Sequence, residues 1–284
     1  MPGTLRIACL QTRPMPDFES AIAEALPLAE RAAGEGAEFL FLPEYCGGLV
    51  TEAGAIRAPA APEEAHPVVA ALAELAARRG VWVQVGSVAV PGPEGRILNR
   101  GVTLDAGGRI VARYDKLHMF DIQLSETEVY RESAHVAPGD RASLVDTPWG
   151  PVGHTICYDL RFAYLYRALA QAGAGILTCP AAFTRKTGET HWHVLNRARA
   201  IETGSWMISA CAHGPVPGGG ETYGHSLIVD PWGAVVADAG DGPGVIAAEI
   251  DLDRVAEARG RIPALTHDRA CPAPELQARI TETA

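Results

Sequence analysis

The stretch that decides the fold is Gly153-His154-Thr155-Ile156-Cys157-Tyr158-Asp159-Leu160-Arg161-Phe162. The largely apolar run from Pro151 to Ile156 predicts a β-strand, and apolar side chains at helical spacing from Arg161 to Ala172 predict a helix. Cys157 therefore falls on a strand-to-helix turn, where a side chain is exposed and backbone N–H groups can stabilise negative charge. That position suits a nucleophile. Taken alone, the cysteine fits a small buried core residue better, because free cysteines are among the most buried residue types.

Composition limits the classes of protein that the chain can belong to. The 284 residues are 48% hydrophobic and no low-complexity linker divides them, so we expect one domain over residues 1–284 with a C-terminal tail from about residue 263. The formal net charge of −10 argues against a nucleic-acid partner, which normally meets a basic surface. Six cysteines without a CxxC pair favour a reduced, cytoplasmic protein. We expect no membrane partner, because there is no signal-type segment and no apolar run of about 18 residues.

Predicted strands and helices alternate in two similar halves of the chain. The predicted strands are Leu5–Leu10, Glu38–Leu42, Val81–Val90, Ile97–Asp105, Arg109–Tyr114, Pro151–Ile156, Gly175–Cys179, Trp206–Ala212, Gly224–Asp230, Ala234–Ala239 and Gly244–Ile250. The predicted helices are Asp17–Ala33, His66–Arg79, Arg161–Ala172, Glu189–Thr203 and Leu252–Arg259. This succession favours two stacked sheets covered by helices.

Three segments between these elements are predicted to be irregular. We expect Thr51–Pro67 to form a loop over one rim, and Met119–Ala142 to form a long loop that acts as a lid or binding element. Gly218-Gly219-Gly220 has no phosphate-binding spacing behind it, so it is interpreted as a flexible connection.

Three reactive side chains each follow a predicted strand. Glu44, Lys116 and Cys157 lie at strand ends, where open α/β sheets place their sites. Each of the two charged residues fits a solvated surface group when taken alone, but a base, a cation and a nucleophile together favour an active site. His191 and His193 are two residues apart on a predicted helix and so point to different faces, which favours separate packing or polar roles over a shared metal site.

The motifs around these residues resemble those of a known family. Phe41-Leu42-Pro43-Glu44, Tyr114-Asp115-Lys116-Leu117-His118 and Ile156–Phe162 are similar to the three signature motifs of the nitrilase superfamily of carbon–nitrogen hydrolases. The similarity extends through 187–192, 197–202 and 223–233, and it covers the chain from the first strand to about residue 269. The resemblance implies an α/β fold, a four-layer αββα sandwich, and assembly into a homodimer or larger oligomer across the helices at 161–172 and 189–203.

The resemblance also implies a reaction, the hydrolysis of a non-peptide C–N bond in a small amide through a thioester, with release of ammonia. Glu44 would be the base for the Cys157 nucleophile, because a thiol is a weak nucleophile at its ordinary pKa. Lys116 and the backbone N–H of Tyr158 would stabilise the oxyanion. Glu132, at the position of a further family glutamate, would hold Lys116 or the substrate amide. No metal or organic cofactor is required.

Two runs resemble one branch of the superfamily in particular. The Cys-Tyr-Asp-Leu-Arg-Phe and Thr-Gly-x-x-His-Trp runs are most similar to omega-amidases and deaminated-glutathione amidases, which hydrolyse the terminal amide of a small 2-oxo acid or a related compound. Tyr45 and Phe183 are candidates for contacting the substrate. An anionic substrate needs a cation at the rim, and Arg185 and Lys186, expected on the loop after the Gly175–Cys179 strand, are candidates, although two solvated charges would fit as well.

Other interpretations of the sequence stay open. A nitrilase proper and an N-carbamoyl amino acid amidohydrolase use the same residues. A catalytically idle binding protein on this scaffold is expected to lack Glu44, Lys116 or Cys157, and all three are present. A cysteine protease is disfavoured because no histidine is placed convincingly as its base. Tyr164 and Tyr166 stand where a Glu-Leu pair is more familiar in the branch, which leaves substrate specificity and dimer packing open.

Overall fold

The computed structural model describes residues 3–52, 55–126 and 128–273. The strands are β1 (Thr4–Gln11), β2 (Phe39–Phe41), β3 (Thr51–Glu52), β4 (Ala55–Ile56), β5 (Trp82–Pro91), β6 (Ile97–Leu104), β7 (Ile110–Asp115), β8 (Asp121–Gln123), β9 (Val129–Arg131), β10 (Val136–Ala137), β11 (Ser143–Thr147), β12 (Gly150–His154), β13 (Ile176–Thr178), β14 (Trp206–Ser209), β15 (His213–Pro215), β16 (Glu221–Tyr223), β17 (Leu227–Val229), β18 (Val235–Asp238) and β19 (Gly244–Asp251). The α-helices are α1 (Phe18–Gly34), α2 (Pro67–Arg79), α3 (Ala163–Gln171), α4 (Arg185–Thr203) and α5 (Asp253–Arg261). Within those described ranges, no helix is long and apolar enough to cross a membrane.

Two mixed sheets form the centre of the molecule. The first has the strand order β10-β6-β5-β2-β1-β19, with β7 also paired to β6, and the second has the order β11-β12-β13-β14-β17-β18. The central strands β1, β2 and β5 are parallel, as are β12, β13 and β14. Helices α1 to α4 are the crossover connections that such parallel strands require, so the carboxyl ends of these strands share one edge of each sheet.

The alternation of side chains along β1 shows how the layers stack. Leu5, Ile7 and Cys9 point to one face and belong to a core that includes side chains of β12, β13 and β14 from the second sheet. Ala8 and Leu10 point to the opposite face, where they pack with α1 and α2. Helices α3 and α4 pack on the outer face of the second sheet. This arrangement confirms the predicted four-layer αββα sandwich.

Local sequence signals set the ends of the first two helices as expected. The Asp17 side chain accepts a 2.8 Å hydrogen bond from the backbone N–H of Ser20 and so caps α1. Helix α2 ends at Arg79, and the next residue, Gly80, has a left-handed backbone conformation with φ of 68°.

Helix α4 begins at Arg185, four residues before the predicted start at Glu189. The prediction was wrong because Gly188 interrupts the helical pattern. Packing requires a glycine at this position, since a Cβ atom on Gly188 would lie 2.3 Å from Cγ of Tyr223. Arg185 and Lys186 therefore lie in the first turn of α4 and not on a loop.

Short strand pairs replace parts of the predicted loops. Strands β8 and β9 form a hairpin within 119–142, β3 and β4 pair within 51–67, and β15 pairs with β16 around Gly218–Gly220. Runs of two or three residues are too short to show a periodic pattern, so the sequence analysis missed them. Gly218 is closely packed, since a Cβ atom there would lie 1.8 Å from the carbonyl oxygen of Thr51. Residues 53–54 of the predicted rim loop, residue 127 of the predicted loop at 119–142 and residues 274–284 of the predicted tail lie outside the described residues.

Candidate active site

The structure brings the strand-end residues Glu44, Lys116 and Cys157 together with Glu132. Glu44 follows β2 and Lys116 follows β7 in the first sheet, whereas Cys157 follows β12 in the second. Lys116 Nζ lies 2.9 Å from Glu44 Oε1 and 2.9 Å from each carboxylate oxygen of Glu132. Glu44 and Cys157 line the same cavity, and the negative charge of Glu44 raises the pKa of the Cys157 thiol. All four side chains are buried.

Lys116 is a buried cation held between two carboxylates. Burial alone would lower the pKa of Lys116, but the charges of Glu132 and Glu44 outweigh it and hold the pKa well above its usual value. Burial raises the pKa of Glu132, with Lys116 acting in the opposite direction. The ammonium group therefore persists at neutral pH, and its charge is available close to Cys157.

Three hydrogen bonds fix the carboxylate of Glu44. Oε1 accepts from Lys116 Nζ and, at 2.8 Å, from the side-chain amide Nδ2 of Asn99. Oε2 accepts a 2.8 Å bond from the backbone N–H of Ala182. Asn99 lies in β6 and was missed by the sequence analysis. A signal was available, because an asparagine is unusual in the interior of a strand.

Cys157 sits in a strained backbone conformation at the start of a short 3₁₀ helix, Cys157–Arg161. Its φ of 48° is in the left-handed region, which non-glycine residues seldom occupy. Burial, together with the negative charge of Glu44, raises the pKa of the Cys157 thiol well above its usual value. The resting sulfur is therefore a thiol, and a base must remove its proton before attack.

A buried carboxylate, Asp159, fixes the cysteine turn. Its Oδ2 accepts from the backbone N–H of Ile156 at 2.8 Å and from the hydroxyl of Tyr114 at 2.6 Å. Its Oδ1 lies 2.6 Å from Nδ1 of His118 and 3.1 Å from the backbone nitrogen of that residue. The second and third signature motifs thus contact each other directly, which spacing along the chain does not reveal.

A cavity of about 300 Å³ opens over these residues. Its lining includes the four buried residues Glu44, Lys116, Glu132 and Cys157, together with Tyr45, Phe120, Tyr158 and Phe183. The hydroxyl of Tyr45 lies 3.4 Å from Glu132 Oε1, so the tyrosine borders both the cavity and the buried charges. Segments 51–67 and 119–142 both contribute lining residues, among them Thr51 and Tyr130.

Two candidate cations lie just outside this lining. Lys186 Nζ pairs with Glu128 at 2.8 Å, and Arg185 pairs with Glu221 at 3.0 Å. Glu128 and Glu221 line the cavity, whereas the described lining does not include Lys186 or Arg185. The carboxylates thus stand between these cations and the cavity.

The two helical histidines point to different faces, as the spacing predicted. Nδ1 of His191 lies 3.3 Å from the guanidinium of Arg161, whereas Nε2 of His193 lies 2.9 Å from Asp238.

The αββα sandwich, with a carboxylate and an ammonium at strand ends of one sheet and a thiol at a strand end of the other, is the arrangement of a carbon–nitrogen hydrolase. The family model described as carbon-nitrogen hydrolase matches residues 6–260, and the chain belongs to this family. It is 37% identical over 268 residues to the deaminated glutathione amidase of Synechocystis, covering 92% of this chain and 96% of that protein. The chain is accordingly an amidase that hydrolyses amide C–N bonds.

Solved structures of the nitrilase superfamily share the fold. Saccharomyces cerevisiae Nit3, a member of branch 10 of the superfamily, aligns with a TM-score of 0.80 and 27% identity over 92% of this chain and 95% of that one. A mutant of the amidase from Nesterenkonia aligns with a TM-score of 0.71 and 25% identity over 91% of this chain and 98% of that one. In that structure acrylamide has added to the active-site cysteine. A cysteine nucleophile is therefore known among similar amidases.

Proposed function

We propose that this amidase hydrolyses the terminal amide of a small 2-oxo acid, such as 2-oxoglutaramate or deaminated glutathione. The observation that carries the reaction is the contact of Lys116 with both Glu44 and Glu132 beside the Cys157 thiol. The substrate class is supported by the similarity to a protein named deaminated glutathione amidase over nearly the whole of both chains.

In the first half of the proposed reaction Cys157 Sγ attacks the amide carbonyl carbon while Glu44 takes the thiol proton. Both side chains line the cavity, and Glu44 is close enough to raise the pKa of the thiol, which supports a direct transfer. Negative charge then develops on the carbonyl oxygen, where the backbone N–H of Tyr158 donates a hydrogen bond. Three bonds to Glu44 and Glu132 occupy the ammonium donors of Lys116, so this lysine stabilises the oxyanion mainly through its charge.

In the second half the tetrahedral intermediate collapses and Glu44 returns its proton to the leaving nitrogen. Ammonia leaves from a primary amide, and an amine leaves when the amide nitrogen carries a substituent. Water then attacks the thioester while Glu44 accepts one of its protons, and that proton passes to the departing sulfur. Glu132 keeps Lys116 in place throughout, because both of its oxygens lie 2.9 Å from the ammonium nitrogen.

A substrate panel tests the choice of substrate class. The purified protein is incubated with 2-oxoglutaramate, deaminated glutathione, an N-carbamoyl amino acid and an aliphatic nitrile, and both ammonia and 2-oxoglutarate are measured. We expect turnover of the two oxo-amides and little with the others. Turnover of the nitrile or the carbamoyl compound, with none of either oxo-amide, would contradict the proposal while leaving the family reaction intact.

The rim cations, Arg185 and Lys186, are proposed to bind the carboxylate of the substrate. The Lys186 side chain is 62% exposed, and an ion pair at such exposure contributes only about 0–1 kcal/mol. A substrate carboxylate can therefore displace Glu128 from Lys186, or Glu221 from Arg185, at little cost.

Charge-removing variants test this exchange. Lys186→Gln and Arg185→Gln are compared with Arg141→Gln, which removes an exposed cation paired to Asp140 elsewhere. We expect one rim variant to raise KM for the anionic oxo-amide about tenfold and to leave KM for a neutral aliphatic amide unchanged. Equal KM values in all three variants would leave both rim cations without a role in binding.

We further propose that two copies associate through α4. Val194 and Ile201 are 66% and 55% exposed, and their spacing of seven residues places both on one helix face. Tyr164 on α3, the helix packed beside α4, is 64% exposed. Light scattering should find a dimer that dissociates in Val194→Glu/Ile201→Glu and persists in Val111→Glu, which alters an exposed apolar residue on β7. If the wild-type protein is a monomer by light scattering, the proposed association is contradicted.

We also propose that residues 1–284 act as one domain with its tail from about residue 263, and that the protein works in the cytoplasm. All six cysteines are free thiols, as a reducing compartment maintains them. Limited proteolysis should remove at most the tail, and fractionation of the source cells should place the protein in the cytosol. Cleavage between the two sheets or recovery outside the cytosol would contradict these proposals.

A further inference from the structure

A cluster of three metal-ligating side chains lies outside the cavity. His193 on α4, His225 just before β17 and Asp238 at the end of β18 direct ligand atoms to one point. Nε2 of His193 lies 2.9 Å from Asp238 Oδ2, and Nδ1 of His225 lies 2.9 Å from Asp238 Oδ1. All the ligand atoms lie within 4.8 Å of one another. Because the residues come from three elements, the fold and not the local sequence creates the cluster.

We propose that these three residues bind a divalent transition metal, Zn²⁺ in the first instance. Imidazole nitrogens and a carboxylate oxygen are ordinary zinc ligands, at about 2.0–2.2 Å from the ion, which places neighbouring ligands about 3.3–3.5 Å apart. The two histidines lie slightly closer than this to Asp238, so small side-chain movements admit the ion. The two histidines are half-buried and Asp238 is exposed, so water can take the fourth coordination place.

Outer contacts hold the ligands in place before any ion arrives. The ring of Tyr223 stacks on His225 with centroids 4.5 Å apart, and the indole of Trp192 donates a 2.7 Å bond to the carbonyl oxygen of His225. The backbone N–H of Gly240 donates to Asp238 Oδ1 at 2.8 Å. Such outer contacts orient metal ligands and raise affinity.

The local charge also favours a dication. Asp238 contributes one negative charge to the cluster, and Asp241 lies nearby, 3.5 Å from Nε2 of His213. His213 is paired with Tyr223 across β15 and β16, so this second acid is close to the cluster. The whole chain has a formal net charge of −10.

A bound ion would tie α4 to the second sheet beside the cavity. Trp192 precedes His193 and packs on Phe183, with ring centroids 5.0 Å apart, and Phe183 lines the cavity. The proposed role is therefore structural, a cross-link that steadies one cavity wall. It takes no part in amide hydrolysis and does not depend on the substrate proposed above.

The full chain is treated with a chelator, exchanged into buffer and titrated with ZnCl₂ and, in parallel, CoCl₂. We expect one ion per chain, a Tm rise of about 4 °C at a free zinc concentration about 100 times Kd, and visible Co²⁺ absorption without thiolate charge transfer. His193→Gln, His225→Gln and Asp238→Asn should each weaken binding by more than about tenfold. His191→Gln, on another face of the same helix, should bind as the wild type does.

The absence of saturable zinc binding in the wild type would overturn the proposal. Equal affinity in Asp238→Asn would do the same, as would a thiolate signal that places the ion on a cysteine. A second measurement uses only the wild type and so does not depend on whether the variants fold. In the wild type, zinc should protect His193 and His225, but not His191, from diethylpyrocarbonate, as mapped by mass spectrometry. Equal modification of all three histidines with and without zinc would also overturn it.

Discussion

The hydroxyl of Tyr114 donates a 2.6 Å hydrogen bond to the buried carboxylate of Asp159. Tyr114 lies on β7 of the first sheet, two residues before Lys116. Asp159 lies two residues after Cys157, in the turn that follows β12 of the second sheet. This bond therefore fixes the end of β7, next to Lys116, against the turn that contains Cys157.

Tyr114→Phe should weaken both stability and turnover. The change removes one donor from a fully buried carboxylate, and hydrogen bonds to charged groups are worth about 1.5–3 kcal/mol. We expect the free energy of unfolding to fall by that amount and kcat to fall several-fold, measured by urea titration and steady-state assay. Tyr130→Phe is the control for stability, because its bond to Glu128 is longer, at 3.3 Å, and only partly buried. Equal stability of the two variants would contradict the assigned link.

Lys116→Met should separate the two effects of the buried cation, its effect on stability and its effect on turnover. Without the ammonium, Glu44 and Glu132 face each other uncompensated, which costs about 3–5 kcal/mol of stability. Turnover should fall about 10²- to 10³-fold or more, as for the loss of an oxyanion-stabilising group. The double variant Lys116→Met/Glu132→Gln should recover part of the stability and none of the activity. If the double variant regained activity, the lysine would serve only to neutralise Glu132.

Asn99→Ala should lower kcat about tenfold with little change in KM. The amide of Asn99 donates to Glu44 Oε1, so its loss lets the Glu44 carboxylate move, whereas Asn99 itself is not among the described residues that line the cavity. Gln84→Ala is the matched control, because Gln84 is another buried amide and donates a 2.8 Å bond to Thr178 between the sheets. The control should lose stability and keep its kcat. A similar loss of kcat in both variants would mean that Asn99 acts only through the fold.

Stability should fall on acidification because of His154. Burial lowers the pKa of His154 to about 4 from 6.5, so between these values the unfolded chain binds a proton that the folded chain does not. The contribution is complete above pH 6.5 and is lost progressively toward pH 4, by about 3 kcal/mol in all. His66, whose pKa burial also lowers to about 4, adds a similar slope.

Denaturant titrations at several pH values measure this dependence. His154→Gln should remove about half of the slope between pH 6.5 and 4, and its amide can still contact Thr103, the partner of the His154 ring at 3.1 Å. His267→Gln, at an exposed position, should leave the slope unchanged. An unaltered slope in His154→Gln would contradict the assignment.

The sequence predicted the sandwich and the meeting of Glu44, Lys116 and Cys157 because each residue sits in a contiguous motif after an apolar strand. Periodicity of two and of 3.6 residues reports buried faces, and most elements of the sandwich have enough residues to show it. Contacts between motifs produce no periodic pattern in the sequence. Asn99 and Asp159 act on partners 55 and 45 residues away, Glu44 and Tyr114, so their roles became visible only in the fold.

The two cations at the rim of the cavity show the same limit of prediction from sequence. Arg185 and Lys186 looked available to a substrate because Glu221 and Glu128, the acids of the cavity lining that they pair with, are 36 and 58 residues away in the chain. Likewise His193 meets Asp238 across 45 residues, a distance over which no spacing rule for metal ligands applies. Where function depends on such distant pairs, a single sequence gives the residue types but not their neighbours.

Glu44 and Lys116 belong to one sheet and Cys157 to the other, so the proposed active site needs both halves of the sandwich. During refolding, the strands of each sheet can form before the two apolar faces have docked. Far-ultraviolet circular dichroism would then recover ahead of amide turnover, and the delay between the two signals would time the closure of the interior. Amide turnover would therefore report the docking of the two sheets, which a secondary-structure signal does not detect.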